Sequence, residues 1–152
     1  GYSKENKKWV DEVTNNLKTT NTIRPFYWMH WTDENSKFDV GEKANLITKH
    51  LKGEGVNIIA KSIGTFVACK LLTLVPDQIK KVVLCGIPVN DLKEEELEFV
   101  KMICKNNKDK ITIIQNSNDP HGTYEQVKDF GNVIQKESDT HDYFYFEEIN
   151  SI

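Results

Sequence analysis

The sequence predicts an α/β fold with a mostly parallel, open sheet and helices on both of its faces. Short apolar segments typical of strands alternate along the chain with segments of helical periodicity, and such alternation is typical of parallel sheets with helical crossovers. The run KVVLCGI at residues 81–87 is continuously apolar after its first lysine, as expected of a strand buried on both faces. A length of 152 residues suits one domain, residues 1–152, with a single core.

The first part of the chain predicts two helices and one edge strand. Apolar residues recur at helical spacing over residues 7–17 and again over residues 40–51, after which nearby glycines end the pattern. Between these helices, IRPFYWM at residues 23–29 is a dense run of strand-forming residues. Because Pro25 has no N–H to donate to a sheet, this run is predicted to be an edge strand or the start of a strand.

The last part of the chain continues the alternation. Helices are predicted over residues 91–104, 124–134 and 143–149 from the spacing of their apolar residues. A second buried strand is predicted at residues 111–114, and the polar residues 115–122 are predicted to form the loop that follows it.

The stretch NIIAKSIGTFVACKL, residues 57–71, predicts a strand, a sharp turn and a helix, with Ser62 in the turn. Small residues stand two positions before and after the serine, at Ala60 and Gly64, where bulky side chains would collide with the adjoining elements. This is the layout of a nucleophile elbow, which lifts the serine hydroxyl clear of the sheet. The backbone N–H of Ile63 is then a candidate donor to a developing oxyanion. The alternative interpretation is a buried structural serine.

Composition and charge argue against several function classes. Lysines and arginines are spread along the chain and balanced by acids, with a net charge of -3, which disfavours nucleic-acid binding. No apolar run could span a bilayer and no signal-peptide pattern is present, so a cytoplasmic protein is expected. Cys69, Cys85 and Cys104 have apolar neighbours and predict buried free thiols. The oligomeric state stays open.

Three reactive side chains fall in predicted loops: Ser62 and Asp119 follow predicted strands, and His141 follows the helix predicted at residues 124–134. Function in open parallel sheets collects at the carboxyl ends of the strands, and Ser62, Asp119 and His141 are all expected near such ends. A serine hydroxyl needs a neutral imidazole to take its proton. That imidazole in turn needs a carboxylate to hold it in the correct tautomer. The three residues therefore form a candidate catalytic triad.

The chain order Ser, Asp, His, together with AKSIG at residues 60–64, resembles the α/β-hydrolase superfamily, and the resemblance extends over essentially the whole chain. NSNDPHG resembles the loop that carries the acid, which implies that role for Asp119. The dipeptide TH resembles the loop that delivers the histidine, which implies His141. The opening GYS resembles the end of a His-Gly-x oxyanion loop, which implies the N–H of Tyr2 as the second oxyanion donor and a strand upstream of Gly1.

Other residues remain open for two of these roles. His121 is a rival base because it lies two residues from Asp119, although the chain order favours His141. Asp91 is a rival acid, because some members of the superfamily take the acid after the preceding strand. The other histidines and the aspartates beside His141 are predicted to be structural or surface residues: His30, His50, Asp139 and Asp142.

The sequence thus predicts a small serine hydrolase that cleaves an ester or thioester through an acyl-enzyme, with no cofactor and no metal. Only one helix is predicted between the strands at 81–87 and 111–114, where most lid domains of the superfamily are inserted, so the site is expected to be open. A non-catalytic binding or scaffold protein of the same fold is the alternative. A nucleotide-binding Rossmann-like domain is disfavoured, since neither G-x-G-x-x-G nor G-x-x-x-x-G-K-[ST] occurs. Spacing does not reveal the acyl and leaving-group preference.

Overall fold

An all-parallel sheet of four strands forms the centre of the computed structural model, which describes residues 4–33 and 35–151. The strands are β1 (Val56–Lys61), β2 (Ile79–Cys85), β3 (Ile111–Asn116) and β4 (Asn132–Lys136). Each strand pairs in parallel with the next one along the chain. Their carboxyl ends therefore meet at one edge of the sheet, and the predicted α/β class with an open parallel sheet is confirmed.

Six helices are found in the described part of the chain, together with two short 3₁₀ turns. The helices are α1 (Lys4–Asn16), α2 (Val40–Leu51), α3 (Ile63–Leu74), α4 (Glu94–Asn106), α5 (Tyr124–Val127) and α6 (Phe146–Ile149). The 3₁₀ turns are at Met29–Trp31 and Val89–Asp91. None of the described helices has the length and apolar character needed to cross a membrane.

The helices cover both faces of the sheet, as predicted. Side chains of α3 and α4 pack on one face against buried strand residues such as Val82 and Leu84. Side chains of α1 and α6 pack on the other face, against Val83 and Ile114. Because strand side chains alternate between the faces, β2 contributes to both clusters and is apolar over most of its length. This double burial explains why β2 stood out in the sequence.

The predicted helix at residues 40–51 is confirmed as α2, and local chemistry accounts for both of its ends. The side chain of Asp39 accepts a hydrogen bond from the backbone N–H of Glu42 at 2.7 Å, which caps the first turn. At the other end, Lys52 and Gly53 adopt positive φ angles of 49° and 81°, which stop the helix.

The prediction of a strand at residues 23–29 is wrong. The segment is irregular and runs into the first 3₁₀ turn. Its side chains find partners away from the sheet: Arg24 forms an ion pair with Glu54 at 2.9 Å, and Phe26 makes an edge contact with His50. Aromatic packing and side-chain pairing therefore outweigh the strand propensity of this run.

The predicted helix at residues 124–134 is wrong in its second half, where β4 begins at Asn132. Gly131, with a φ of 152°, lies at the break, and Val133 and Ile134 pair with β3 as an edge strand. The helix predicted at residues 143–149 is confirmed over its last four residues, which form α6. Residues 143–145 are not helical.

Candidate active site

Ser62 lies in the tight turn between β1 and α3, with φ 56° and ψ -131°. A residue other than glycine rarely adopts this conformation, because it crowds the Cβ atom. Hydrogen bonds hold the turn: the Ser62 N–H donates to the carbonyl of Cys85 at 3.0 Å, and the Ser62 carbonyl accepts from the N–H and the hydroxyl of Thr65. The strand, strained turn and helix expected at this stretch are therefore present.

The neighbours of Ser62 meet the expectations in part. A Cβ atom at Gly64 would lie 3.8 Å from the Cβ of Ala60, an ordinary contact, so only side chains larger than alanine are excluded there. Ile63 is the first residue of α3, and its N–H has no carbonyl one turn earlier in the helix to bind. Tyr2, the other candidate oxyanion donor, lies outside the described residues.

Asp119 and His141 form a hydrogen-bonded pair. The Nδ1 atom of His141 lies 2.6 Å from Oδ2 of Asp119, and the side chain of Asp119 is completely buried. Since a carboxylate only accepts hydrogen bonds, Nδ1 of His141 is the donor, and in the neutral imidazole this leaves the lone pair on Nε2. That Nε2 atom is buried and has no hydrogen-bond partner in the described part of the chain. The imidazole is therefore in the tautomer that a general base requires.

The His141 ring lies close to Gly86, the residue after β2. A Cβ atom built on Gly86 would be 3.0 Å from Cε1 of His141. Lys61 pairs with Cys85 at the ends of β1 and β2, so the next positions, Ser62 and Gly86, are neighbours across the two strands. The positive φ of 65° and the close approach of the ring both require glycine at position 86.

The carboxyl group of Asp119 is held ionised by its hydrogen bonds. Burial acts to raise the pKa of Asp119, but the bonds from His141, from the Tyr143 hydroxyl at 2.5 Å and from the backbone N–H of His121 at 2.8 Å lower it. The net result is a pKa below the ordinary value of 3.8. Burial first, and the Asp119 charge after it, raise the pKa of Tyr143 well above its usual range, so Tyr143 stays a donor.

Two buried amide side chains at the end of β3 hold the loops of the site, and sequence reasoning missed both. Gln115 accepts from the N–H of Ile87 at 2.9 Å and donates to the carbonyl of Gly122. Asn116 donates from Nδ2 to the carbonyls of Thr140 and Asp142, which flank His141. The available signal was the pair of amides directly after an apolar run, where a buried strand ends.

His121 and Asp91, the rival base and the rival acid of the sequence analysis, contact each other. Nδ1 of His121 lies 2.6 Å from Oδ2 of Asp91. Both side chains are about half exposed, at 45% and 53%, whereas His141 and Asp119 are at 17% and 0%. The structure thus contains two Asp–His pairs side by side, and the more buried one contains His141.

The remaining candidates occupy the positions expected of structural or surface residues. His30 is buried among aromatic rings, and His50 is exposed with its ring bonded to the carbonyl of Leu46. Asp139 and Asp142 are exposed loop residues. The cysteines are free and buried, as predicted. Burial raises the pKa of Cys85 to about 12, which keeps this thiol protonated and unreactive at neutral pH.

Lys61, directly before Ser62, is an unusual neighbour for the site. Burial lowers the pKa of its ammonium group, and the charges of Asp142 and Asp119 counteract only part of that effect. Its Nζ atom lies 3.5 Å from Oδ1 of Asn6 on α1. The ammonium group of Lys61 therefore lies between Asn6, near the amino end of α1, and the carboxylates of Asp119 and Asp142.

A groove of about 740 Å³ runs along the edge of β1 that faces away from β2. One wall comes from α1 and residues 17–31, the other from α2 and α3, and the floor extends from Val56 to Ser62. Asp119 and His141 do not line it. Ser62 is thus the point where the groove meets the carboxyl end of the sheet.

No described group of three or more histidine, cysteine, aspartate or glutamate side chains is arranged to hold a metal ion. Comparison with known proteins adds no identification: no protein-family model matches the chain, and no curated protein is significantly similar to it. The functional argument therefore depends on the geometry of the site.

Proposed function

We propose that this protein is a serine hydrolase of the α/β-hydrolase type that cleaves a small ester or thioester through Ser62, His141 and Asp119. The observation that carries the proposal is the combination of a strained Ser62 turn with the buried Asp119–His141 pair. The His141 ring lies close to Gly86, and the residue before it, Cys85, accepts a hydrogen bond from the Ser62 N–H. Strain of this kind is stored at functional sites more often than elsewhere.

In the first half of the reaction, Oγ of Ser62 attacks the carbonyl carbon of the substrate and its proton passes to Nε2 of His141. The buried carboxylate of Asp119 stabilises the imidazolium that forms, and it keeps the ring in one tautomer. The N–H of Ile63 donates to the oxyanion, a contribution of about 3 kcal/mol for one donor of this kind. The C–O or C–S bond then breaks, and His141 returns the proton to the leaving alcohol or thiol.

In the second half, a water molecule attacks the acyl-enzyme. His141 takes one proton from this water, and the carboxylic acid leaves as Ser62 recovers its own proton. Only the second 3₁₀ turn and α4 lie between β2 and β3. This short connection supports a substrate of modest size and no covering domain.

The experiment is hydrolysis of a p-nitrophenyl ester with a short acyl chain. Ser62→Ala should lower kcat by a factor on the order of a million, as in triads whose members act together. Ser117→Ala is the matched control, because Ser117 lies just after β3 and its hydroxyl only bonds the Lys136 carbonyl and Gln135. The control should keep its activity; esterase activity in Ser62→Ala equal to that of the unchanged protein would refute the proposal.

A further inference from the structure

The second Asp–His pair lies against the first. The rings of His121 and His141 have centroids 4.5 Å apart and are tilted by 54°. Tyr143 contacts the His141 ring edge-on from another direction, at 5.6 Å, and Gly86 lies below it. Asp119 holds its Nδ1 atom. His121 is therefore one of the groups packed around the His141 ring.

His121 is itself fixed in place by the loop after β2. Its ring is bonded to Asp91, and its backbone carbonyl accepts from the N–H of Asn90 at 2.9 Å. The Asn90 side chain donates to the carbonyl of Pro120 at 3.0 Å and accepts from the side chain of Gln126. The His121 ring is therefore held in one position by its neighbours, although its side chain is about half exposed.

We propose that His121, held by Asp91, is a positioning residue that keeps the imidazole of His141 oriented toward Ser62. The expected change in kcat depends on the proposed function, whereas the expected change in the mobility of the His141 ring does not. The backbone N–H of His121 also binds Asp119, and that bond survives any change of the side chain. Side-chain variants therefore test the ring contact alone.

Kinetics give the first measurement. His121→Ala should lower kcat on the order of tenfold and leave KM unchanged, because a small misplacement of a reacting group is costly. Asp91→Ala keeps the His121 ring and removes only the bond that holds it, so it should lower kcat in the same direction by a smaller factor. His121→Phe keeps an aromatic ring and should recover most of the loss. The double variant Asp91→Ala/His121→Ala should be no worse than His121→Ala, because both changes remove one contact. His50→Ala, an exposed histidine on α2, is the control and should be neutral.

Proton NMR gives the second measurement, in a Ser62→Ala background that needs no turnover. The Nδ1 proton of His141, assigned by its loss in His141→Gln, should exchange with water about tenfold faster in His121→Ala and at the original rate in His121→Phe. Unchanged exchange in His121→Ala would overturn the inference, and so would a His121→Phe variant as impaired as His121→Ala. A protein without esterase activity that still shows the exchange effect would contradict only the proposed function.

Discussion

Ser62 occupies a backbone conformation that destabilises the folded protein. Removing the Cβ atom should relieve the strain, which amounts to about 1–3 kcal/mol for a residue in a sparsely populated backbone region. We therefore expect Ser62→Gly to be more stable than Ser62→Ala by about that amount in denaturant unfolding. At Ser117, which has no positive φ, the order should reverse, with glycine less stable by about 0.5–1 kcal/mol. Equal stability of the two Ser62 variants would argue against a strained turn.

Gly86 is the position where an added methyl group should harm the site most. Its Cβ atom would lie 2.7 Å from Cζ of Tyr143 and 3.0 Å from Cε1 of His141, at a positive φ. Gly53 also has a positive φ, but it has nothing within 4 Å of its Cβ position. Gly86→Ala should therefore lose about 1–3 kcal/mol more unfolding free energy than Gly53→Ala, since overcrowding adds to the backbone cost. Calorimetric melting of both variants measures the difference, and equal losses would contradict the contact.

Asp119 should make stability depend on pH in the acid range. Its pKa is lowered in the folded protein, so the unfolded chain binds a proton at higher pH than the folded chain does. The stabilisation is present above the unfolded pKa, near 4, and is lost as the pH falls through the folded pKa. Unfolding free energies between pH 7 and pH 3 should fall less steeply in Asp119→Asn than in the unchanged protein. Parallel curves would mean that Asp119 is not held ionised.

At the level of elements, the end of β3 acts as the support for the histidine loop. Asn116 bonds the carbonyls of Thr140 and Asp142 and accepts from the Tyr145 hydroxyl. Asn116→Ala should cost about 3 kcal/mol of unfolding free energy, near 1 kcal/mol for each bond, and should lower kcat by freeing His141. Gln135→Ala, an exposed amide on β4 with a bond to Ser117, should cost less than about 0.5 kcal/mol. Similar losses of unfolding free energy in the two variants would contradict the supporting role of Asn116.

The elements differed in how far the sequence could predict them, and burial explains the difference. Strands β2 and β3 are buried on both faces over most of their length, and each contains a short apolar run, VVLC in β2 and III interrupted by one threonine in β3. Strand β4 is a half-exposed edge, and its few apolar residues also fit a helical period, so the sequence analysis joined it to α5. Residues 23–29 have the composition of a strand, but long-range aromatic contacts decide their conformation.

The same limit applies to the site. Ser62 and Asp119 could be proposed from the sequence because each follows a predicted strand, and parallel strands bring their carboxyl ends together. His141 follows β4, which the sequence analysis did not predict, and it was proposed from the chain order Ser, Asp, His. Gln115, Asn116 and Tyr143 were not predicted as supports, because their partners lie in loops that reach them only in the folded chain, and the pair of amides does not by itself reveal those partners. The pairing of Asp91 with His121 likewise depends on two loops that meet only in the folded chain.

At the level of the whole molecule, the short connection between β2 and β3 leaves nothing there that could close over the site. An enzyme whose lid must open at a lipid surface gains activity when its substrate forms micelles. We expect no such gain here: the rate should rise hyperbolically with ester concentration through the solubility limit. Rates measured across that limit, with triacetin or tributyrin as substrate, test this, and a jump at the limit would show that some other segment covers the site.

The central claim is that the hydroxyl of Ser62 is activated by His141. A fluorophosphonate probe reacts with such a serine and forms a stable phosphonyl ester that mass spectrometry locates on one peptide. The account predicts labelling at Ser62, abolished in His141→Ala and retained in His50→Ala, with all three proteins folded by circular dichroism. A folded protein that takes up no probe, or takes it up equally well in His141→Ala, would contradict the account and favour a binding protein with an unused site.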